Sequence, residues 1–573
     1  MNIIVRTALI AAGLCAASQS PVSAQSTCTS QHVTDWFPGG FNAQSAWFST
    51  TVTTSASGGV TATSSPRFVI QGLFAGAVWI REGQAVGGSV ETQLLPPQAE
   101  NDLAFGQGLA LNAEGNLLVV GAPGWAPVAS RMFVYRKLGG SWILEKQING
   151  QAADWSGRYL ALDASGETLV STAPFRWVPP PQGGLAAWRQ GAVDTYRRSG
   201  GAWVLESSLS GHDLPLLVDN FGNAIALSGD GQRLAFRSMS WPADVVQSGA
   251  VYVLARVGTG WVFEARLQEP VQSSGAGFGN SLAFDANGTV LIAGSPFDSR
   301  TGVTQAGSLT VFRRGAAGWS YDVSFTPSQP FPNGKYGTSC DLSADGKRAI
   351  VAAPVGADSG LEAGSVEEIA LAPGTWTRLS VRTSPSPEYA AFFGLAVAMN
   401  SSGSKFVVGE PSADFYGVDF GRVHFFEAPC LNPTVYCTAQ TNTLGCAAQI
   451  AGQGTPSVSS LSGFVISASN VRNQQNGMLI YSTNGRAQIA WQGGTLCVGL
   501  PLRRTPLVSS GGSAATALDC SGVLLRDFNT WAIGANDPAL FAGQQVQAQF
   551  YSRDPGSSAN INLSNALEFT LEP

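Results

Sequence analysis

Aromatic side chains recur at one kind of place in this chain. Trp125, Phe175 with Trp177, Trp241, Phe297, and Phe415 with Tyr416 each lie shortly after a Gly-Ala-Pro-like tripeptide, in the loop that leads to the next strand-like run. Aromatic rings in exposed loops stack on sugar rings or anchor a protein partner, because they bring large apolar faces at little conformational cost. Arg131, Arg176, Arg300, Asp298, Asp358, Asp414 and Asp419 lie near them in sequence and add hydrogen-bonding groups. The competing reading is that the aromatics cap the underlying structure and pack on one another beneath long loops.

Residues for bond-breaking chemistry are sparse. The chain has three histidines, His32, His212 and His424, and none has a second histidine close in sequence. His424 lies in a strand-like run, VHFFE, where a packing role is expected. No His-Glu-x-x-His, phosphate-binding loop or nucleophile elbow is present, and the sequence around Ser281, GFGNSLAF, belongs to a repeat. Glu367 and Glu368 alternate faces on a strand and cannot act together on one bond. No catalytic residue and no metal ligand is therefore assigned. A glycosidase-type pair gathered from separate parts of the chain stays open.

These loops belong to a repeat. Phe105-Gly106 opens the clearest copy, which continues through LALNAEGNLLVVGAP to Pro123 and MFVYRKLGGSWILEKQ to Gln147. Later copies carry Gly157, Gly222, Gly279, Gly337 and Gly394 at spacings of 51, 65, 57, 58 and 57 residues. A period near 57 residues signals a repeat architecture. Each copy reads as four short strands. The first two join through Gly-containing turns such as NAEGN and DANGT, and the last two through turns followed by Trp142, Trp203, Trp261, Trp319 or Trp376. These tryptophans are expected as core between neighbouring sheets. A seventh, diverged copy runs from Phe68 to Leu94. The last copy stops at Ala428 after its third strand, and Ser45–Thr53 is expected to supply the missing fourth. One sheet built from both ends of the repeat array closes a ring, so the fold expected is an all-β, seven-bladed β-propeller over 55–429, with 25–54 as the closing segment. Residues 430–573, rich in Ser, Gly, Asn and Thr, read as a small β-sandwich-like domain with disulfides.

The chain is 12% charged with a net charge of −6 and 68 glycines. No basic run appears, which argues against nucleic acid. Residues 1–24 read as a signal peptide: Arg6, the short apolar run ALIAAGLCAA, and Val22-Ser23-Ala24 before the cut. The run is too short to span a bilayer, and no membrane span is expected after its removal. The product is expected to be secreted, periplasmic or on the cell surface. That compartment makes disulfides the default. The pairing expected is Cys437 with Cys446, Cys497 with Cys520, and Cys28 with Cys430, although six cysteines allow fifteen arrangements. Cys340 is expected to be a buried free thiol.

The repeats resemble the FG-GAP family, the unit of the integrin α-subunit head propeller and of many bacterial surface proteins. Phe105-Gly106 with Gly121-Ala122-Pro123, Phe278-Gly279 with Gly294-Ser295-Pro296, and Phe393-Gly394 with Gly409-Glu410-Pro411 carry the resemblance. It implies a propeller used for adhesion or ligand binding. Many members bind calcium through an Asp-x-Asp-x-Asp-Gly hairpin. Here Asp285-Ala-Asn287-Gly288, Ser228-Gly-Asp230-Gly231 and Asp163-Ala-Ser165-Gly166 offer at most two side-chain ligands each, too few for a hard cation, so no calcium and no other cofactor is expected. The C-terminal YCTAQTNTLGC…LCVGLPLRRTP…DCSG…FYSRDP resembles an accessory domain at the ends of secreted proteins of planctomycete-like bacteria. The function expected is a non-enzymatic binding or adhesion protein for a protein or polysaccharide ligand. The alternatives are an extracellular hydrolase or lyase with its site at the propeller channel, and a structural component of the envelope or matrix.

Overall fold

The computed structural model describes residues 30–37, 47–83, 89–125, 127–178, 191–214, 219–240, 248–358, 362–372, 375–413, 420–428, 433–454, 456–458, 462–534, 537–541 and 544–571. Among them are seven four-stranded antiparallel sheets, each running from an innermost to an outermost strand. Blade 1 contains Val52–Thr54, Val60–Ser65, Ala77–Gly83 and Ser89–Leu94; blade 2 contains Gly108–Leu111, Leu117–Ala122, Ala129–Leu138 and Ser141–Ala152. Blades 3 to 6 begin at Leu160, Asp219, Leu282 and Cys340 and follow the same order. Blade 7 takes Ala396–Met399, Lys405–Glu410 and Arg422–Glu427 from the end of the repeat array, and its outermost strand, Gln31–Trp36, from the beginning. Each innermost strand touches the next, and that of blade 7 touches that of blade 1. The protein is a seven-bladed β-propeller followed by a β-sandwich-like domain.

The closing strand is displaced from its expected place. Ser45–Thr53 does not supply it. Within that stretch Phe48-Ser49 holds the aromatic-Gly position of blade 1, 57 residues before Phe105-Gly106, and Val52 begins the blade's innermost strand. Ser49 has φ 72°, the left-handed conformation that Gly holds in the other copies. With Ser in place of Gly, the copy loses its visible signature.

The repeat residues are those that touch the next blade. The aromatic of the pair donates its backbone N–H to the preceding blade: Phe105 to the Ala75 carbonyl at 2.9 Å, Phe278 to Ser248 at 2.8 Å, Tyr336 to Ala306 at 3.0 Å and Phe393 to Ala363 at 2.8 Å. Phe48 closes the series onto Phe420 of blade 7 at 3.2 Å. The Gly of the Gly-Ala-Pro motif allows this approach. A Cβ at Gly121, Gly294 or Gly409 would collide with the carbonyl oxygen of Gly157, Gly337 or Ser49 on the next blade. On the opposite face the inner hairpins form a second ring. Backbone N–H groups of Ala56, Ala113, Ala164, Asp230, Ala286, Ala344 and Ser401 each bond to a carbonyl in the next hairpin, at 2.8–3.1 Å, and the last returns to Ala56. The positioned tryptophans stitch the rim: Trp142 Nε1 donates to Glu82 at 2.7 Å, Trp203 to Glu145 at 3.1 Å, Trp261 to Thr195 at 2.9 Å and Trp376 to Asp322 at 3.1 Å, each on the preceding blade.

In the C-terminal domain one sheet holds Asn476–Ser482, Gln545–Arg553 and Ile561–Thr570, and another holds Gln449–Gly454, Phe464–Val471 and Gly522–Asp527. A core including Phe464, Ile466, Leu479, Leu524, Phe550, Leu567 and Phe569 fills the domain. The disulfides are Cys437–Cys497 and Cys446–Cys520, not the local pairs expected. Between Cys437 and Cys446 the chain folds into a turn in which the Asn442 N–H donates to the Cys446 carbonyl at 2.8 Å. Tyr436 Oη donates to the Cys497 carbonyl at 2.8 Å, which brings Cys437 beside Cys497 instead. Cys28 and Cys430 lie outside the described residues. Cys340 is a free thiol, and burial pushes it up to about 12.

Gly121→Ala should destabilise the protein by about 1–3 kcal/mol through overpacking, because the obstacle is backbone and blades 2 and 3 must part to admit the methyl. Gly315→Ala, with nothing within 4 Å of the added Cβ, should leave the denaturation midpoint nearly unchanged. Equal midpoints for the two variants would contradict this account of the motif.

Candidate binding site

Strands alternate in direction, so the loops after the second strand of each blade and the links into the next blade share one face; the hairpins occupy the other. On the first face lies a pocket of about 710 Å³ lined by Trp47, Thr50, Pro66, Arg67, Phe74, Asp102, Ala104, Gln107 and Trp125. Trp47, Phe74 and Trp125 are 38%, 51% and 51% exposed, far more than a core aromatic. The Arg67 guanidinium lies 5.7 Å from the Trp47 ring centre.

The walls are held from behind by backbone bonds. The Asp102 carbonyl accepts the Trp125 N–H at 2.9 Å, and the Asp102 N–H donates to the Phe74 carbonyl at 2.9 Å. Asn101 Oδ1 accepts the Phe74 N–H at 3.2 Å, while Asn101 Nδ2 donates to Asp102 Oδ2 at 2.7 Å. Trp47 (φ 50°), Asp102 (φ 61°) and Ala104 (φ 56°) are left-handed, a costly state for bulky residues that the surrounding blades impose. Three rings and an acidic side chain are thus presented on a fixed backbone, with little to reorganise when a ligand arrives.

The aromatic wall continues into blade 3. Trp155 lies edge-on to Trp125 at 5.1 Å and to Phe175 at 4.4 Å. Arg158 sits over Trp155 at 4.7 Å. Beneath Trp155, Asp154 is buried and accepts bonds from Ser130 Oγ, the Ser156 N–H at 2.9 Å and Ser156 Oγ at 2.8 Å, with Arg176 Nη2 at 3.1 Å. Burial works to raise the Asp154 carboxyl, but these donors and the Arg176 charge outweigh it and hold the group below its ordinary value.

Trp125 and Phe175 are therefore brought together, through a residue that the sequence reading missed. Trp177, two residues beyond Phe175, is 60% exposed. Phe297 belongs to blade 5, where Lys335 Nζ lies 6.0 Å from its ring, and it takes no part in this wall. Trp241, Phe415 and Tyr416 lie outside the described residues, as do Asp414 and Asp419. Arg131 pairs with Glu100 at 2.7 Å, and Arg300 pairs with Glu269 and Asp298. Asp358 accepts Ser365 Oγ. These polar groups are committed to the blades. The missed rings are Trp47, Phe74 and Trp155; Trp47 and Trp155 both stand just before the aromatic-Gly position, in WFS and WSG. That offset was the available signal.

At the channel, a pocket of about 280 Å³ is lined by Thr51, Gln107, Gly108, Leu109, Arg158, Tyr159, Leu160 and Ile225. No carboxylate is among these described lining residues. In the hairpins, Asp285 accepts the Thr289 and Val290 N–H groups at 2.6 and 2.9 Å, and Asp163 accepts those of Glu167 and Thr168 at 2.9 and 3.2 Å.

No protein-family profile matches the chain, and no curated protein matches it. Solved structures with a similar fold include the periplasmic gluconolactonase of Pseudomonas aeruginosa (17% identity, 59% of this chain and 86% of that one, TM-score 0.38). They also include hydrazine synthase of Kuenenia stuttgartiensis (11% identity, 65% and 96%, TM-score 0.41) and a protein from Lactobacillus plantarum (14%, 59% and 85%, TM-score 0.38). Among the described residues no helix is long and apolar enough to cross a membrane.

An acid whose pKa is lowered on folding stabilises the protein above its unfolded pKa, about 3.9 for Asp, and loses that contribution as the pH falls through the folded value. Asp154→Asn should cost about 2 kcal/mol at neutral pH, as a charged hydrogen-bond acceptor is removed. It should also flatten the loss of stability below about pH 4. Urea midpoints between pH 2 and 7 test this, and an unchanged acid slope would sink it.

Proposed function

We propose that this protein is a secreted, non-enzymatic recognition propeller that binds a polysaccharide on the face carrying Trp47, Phe74 and Trp125. One observation carries the reading: three exposed rings, backed by rigid backbone, wall a pocket whose polar edge is Asp102, Gln107, Thr50 and Arg67. A pyranose presents an apolar C–H face and a rim of hydroxyls, and this arrangement matches both. The Trp125–Trp155–Phe175 series extends the aromatic surface beyond the pocket, as a chain of sugars would require. The FG-GAP-like repeats, the N-terminal signal-like segment and two disulfides support a binding or adhesion role outside the cytoplasm.

Glycan-array screening followed by calorimetry tests the reading. Trp125→Ala and Trp47→Ala should each weaken binding by roughly tenfold to a hundredfold, in the range of an aromatic hot spot, without lowering Tm. Phe297→Ala should bind as the wild type does. Binding that survives both Trp substitutions, or a ligand that proves to be a protein with no glycan bound, would reject it.

A further inference from the structure

Two of the three histidines meet where the ring closes. His32 and Asp35 come from the closing strand Gln31–Trp36, and His424 from its partner strand Arg422–Glu427. Residues three apart in a regular strand face opposite sides. Here the register shifts between His32 and Thr34, and such a bulge re-aims side chains, so that His32 and Asp35 reach the same point. Asp35 Oδ1 lies 2.7 Å from His32 Nε2 and 2.7 Å from His424 Nδ1. The three ligand-type atoms lie within 4.8 Å of one another.

His424 is wholly buried. Its Nε2 is 2.7 Å from Glu410 Oε2, and Glu410 is itself buried and paired with Arg422. Its Nδ1 faces Asp35 but has no hydrogen bond of good geometry. An imidazole held by a buried carboxylate on one nitrogen, with the other turned toward a second histidine and an aspartate, is the arrangement in which an outer carboxylate orients a metal-binding histidine. Phe393, at 5.1 Å from the His424 ring, and Phe426, at 5.4 Å from the His32 ring, pack the imidazoles in place.

We propose that His32, Asp35 and His424 form a binding site for a divalent transition-metal ion of the zinc type, which ties the closing strand to blade 7. Two imidazoles and one carboxylate suit such an ion and leave a coordination position for water. Rotation of the half-exposed His32 and Asp35 side chains suffices to gather the ligands about an ion, with His424 fixed. The reading of the sequence assigned no metal because nearly the whole propeller separates His32 from His424.

The test uses the full mature protein, without a histidine tag, stripped with chelator and titrated with Zn²⁺ by calorimetry and with Co²⁺ by visible absorption. One ion should bind per chain, Co²⁺ should give the intense bands of a four-coordinate site, and free Zn²⁺ at about a hundred times its Kd should raise Tm on the order of 5 °C by mass action. His32→Ala, at an accessible position, should keep the fold and abolish both the bands and the Tm shift. His212→Ala should change neither. Binding that is absent in the wild type, or that persists in His32→Ala, overturns the proposal. Neither result depends on the glycan reading, since no ligand other than the metal is present.

Discussion

Everything in this propeller depends on how closely one blade's backbone can approach the next. In five blades the aromatic N–H, that of Phe48, Phe105, Phe278, Tyr336 or Phe393, bonds to a carbonyl of the preceding blade, and Gly121, Gly294 and Gly409 on second strands leave room for the neighbouring carbonyl. The contact is backbone to backbone, so it sets a fixed distance that side-chain repacking cannot absorb. The ring of hairpin bonds on the opposite face repeats the constraint. The seven hairpin contacts in series leave each blade little freedom, because an error in one must be accommodated by the others before the last strand can pair. The motif is thus a spacing device; the buried Phe, Val and Leu around it supply the apolar area.

That division explains what could be read from the residues. Gly-Ala-Pro and aromatic-Gly pairs are legible because few residue types meet their steric demand. Ser49 meets it by adopting φ 72°, and that one substitution hid the start of blade 1 and shifted the expected closing strand. The tryptophans after the outer turns were legible as packing residues, but their bonds to Glu82, Glu145, Thr195 and Asp322 on the preceding blades were not. Those depend on register between sheets, which no local pattern encodes. The disulfides failed for a similar reason. A nine-residue separation favours Cys437–Cys446 on proximity alone, but tertiary strand placement selects Cys437–Cys497 and Cys446–Cys520.

Of the five rings that line the candidate face, Trp125 and Phe175 were legible in the sequence. Loops after Gly-Ala-Pro carry Trp125 and Phe175 to the candidate face, because sheet alternation sends every such loop to one face. The links between blades reach that same face, and they carry Trp47 and Trp155. Phe297 shows the limit of the pattern: it sits at the expected offset but on a distant blade, so periodicity alone cannot say which positions cooperate. Adjacency does, and the contacts Trp125–Trp155–Phe175 arise only where two successive blades both carry rings.

The closing blade buries Glu410, Arg422 and His424 at the ring's weakest covalent point. Blades 1 to 6 are continuous chain, but blade 7 joins segments from the two ends of the repeat array, and their pairing must offset the entropy of closing a loop of several hundred residues. That cost grows only logarithmically with length, so one strand of hydrogen bonds can meet it. What pairing alone does not secure is register, since a slipped outer strand would still bond. Asp35 stands opposite His424, with Glu410 and Arg422 behind, in one register only. A shift by one residue turns Asp35 to the other face and takes from the buried His424 imidazole the carboxylate that its Nδ1 faces, which costs more than an apolar mismatch. Here the polar cluster selects the register, while apolar contacts such as Trp36 against Phe48 and Phe425 provide the adhesion.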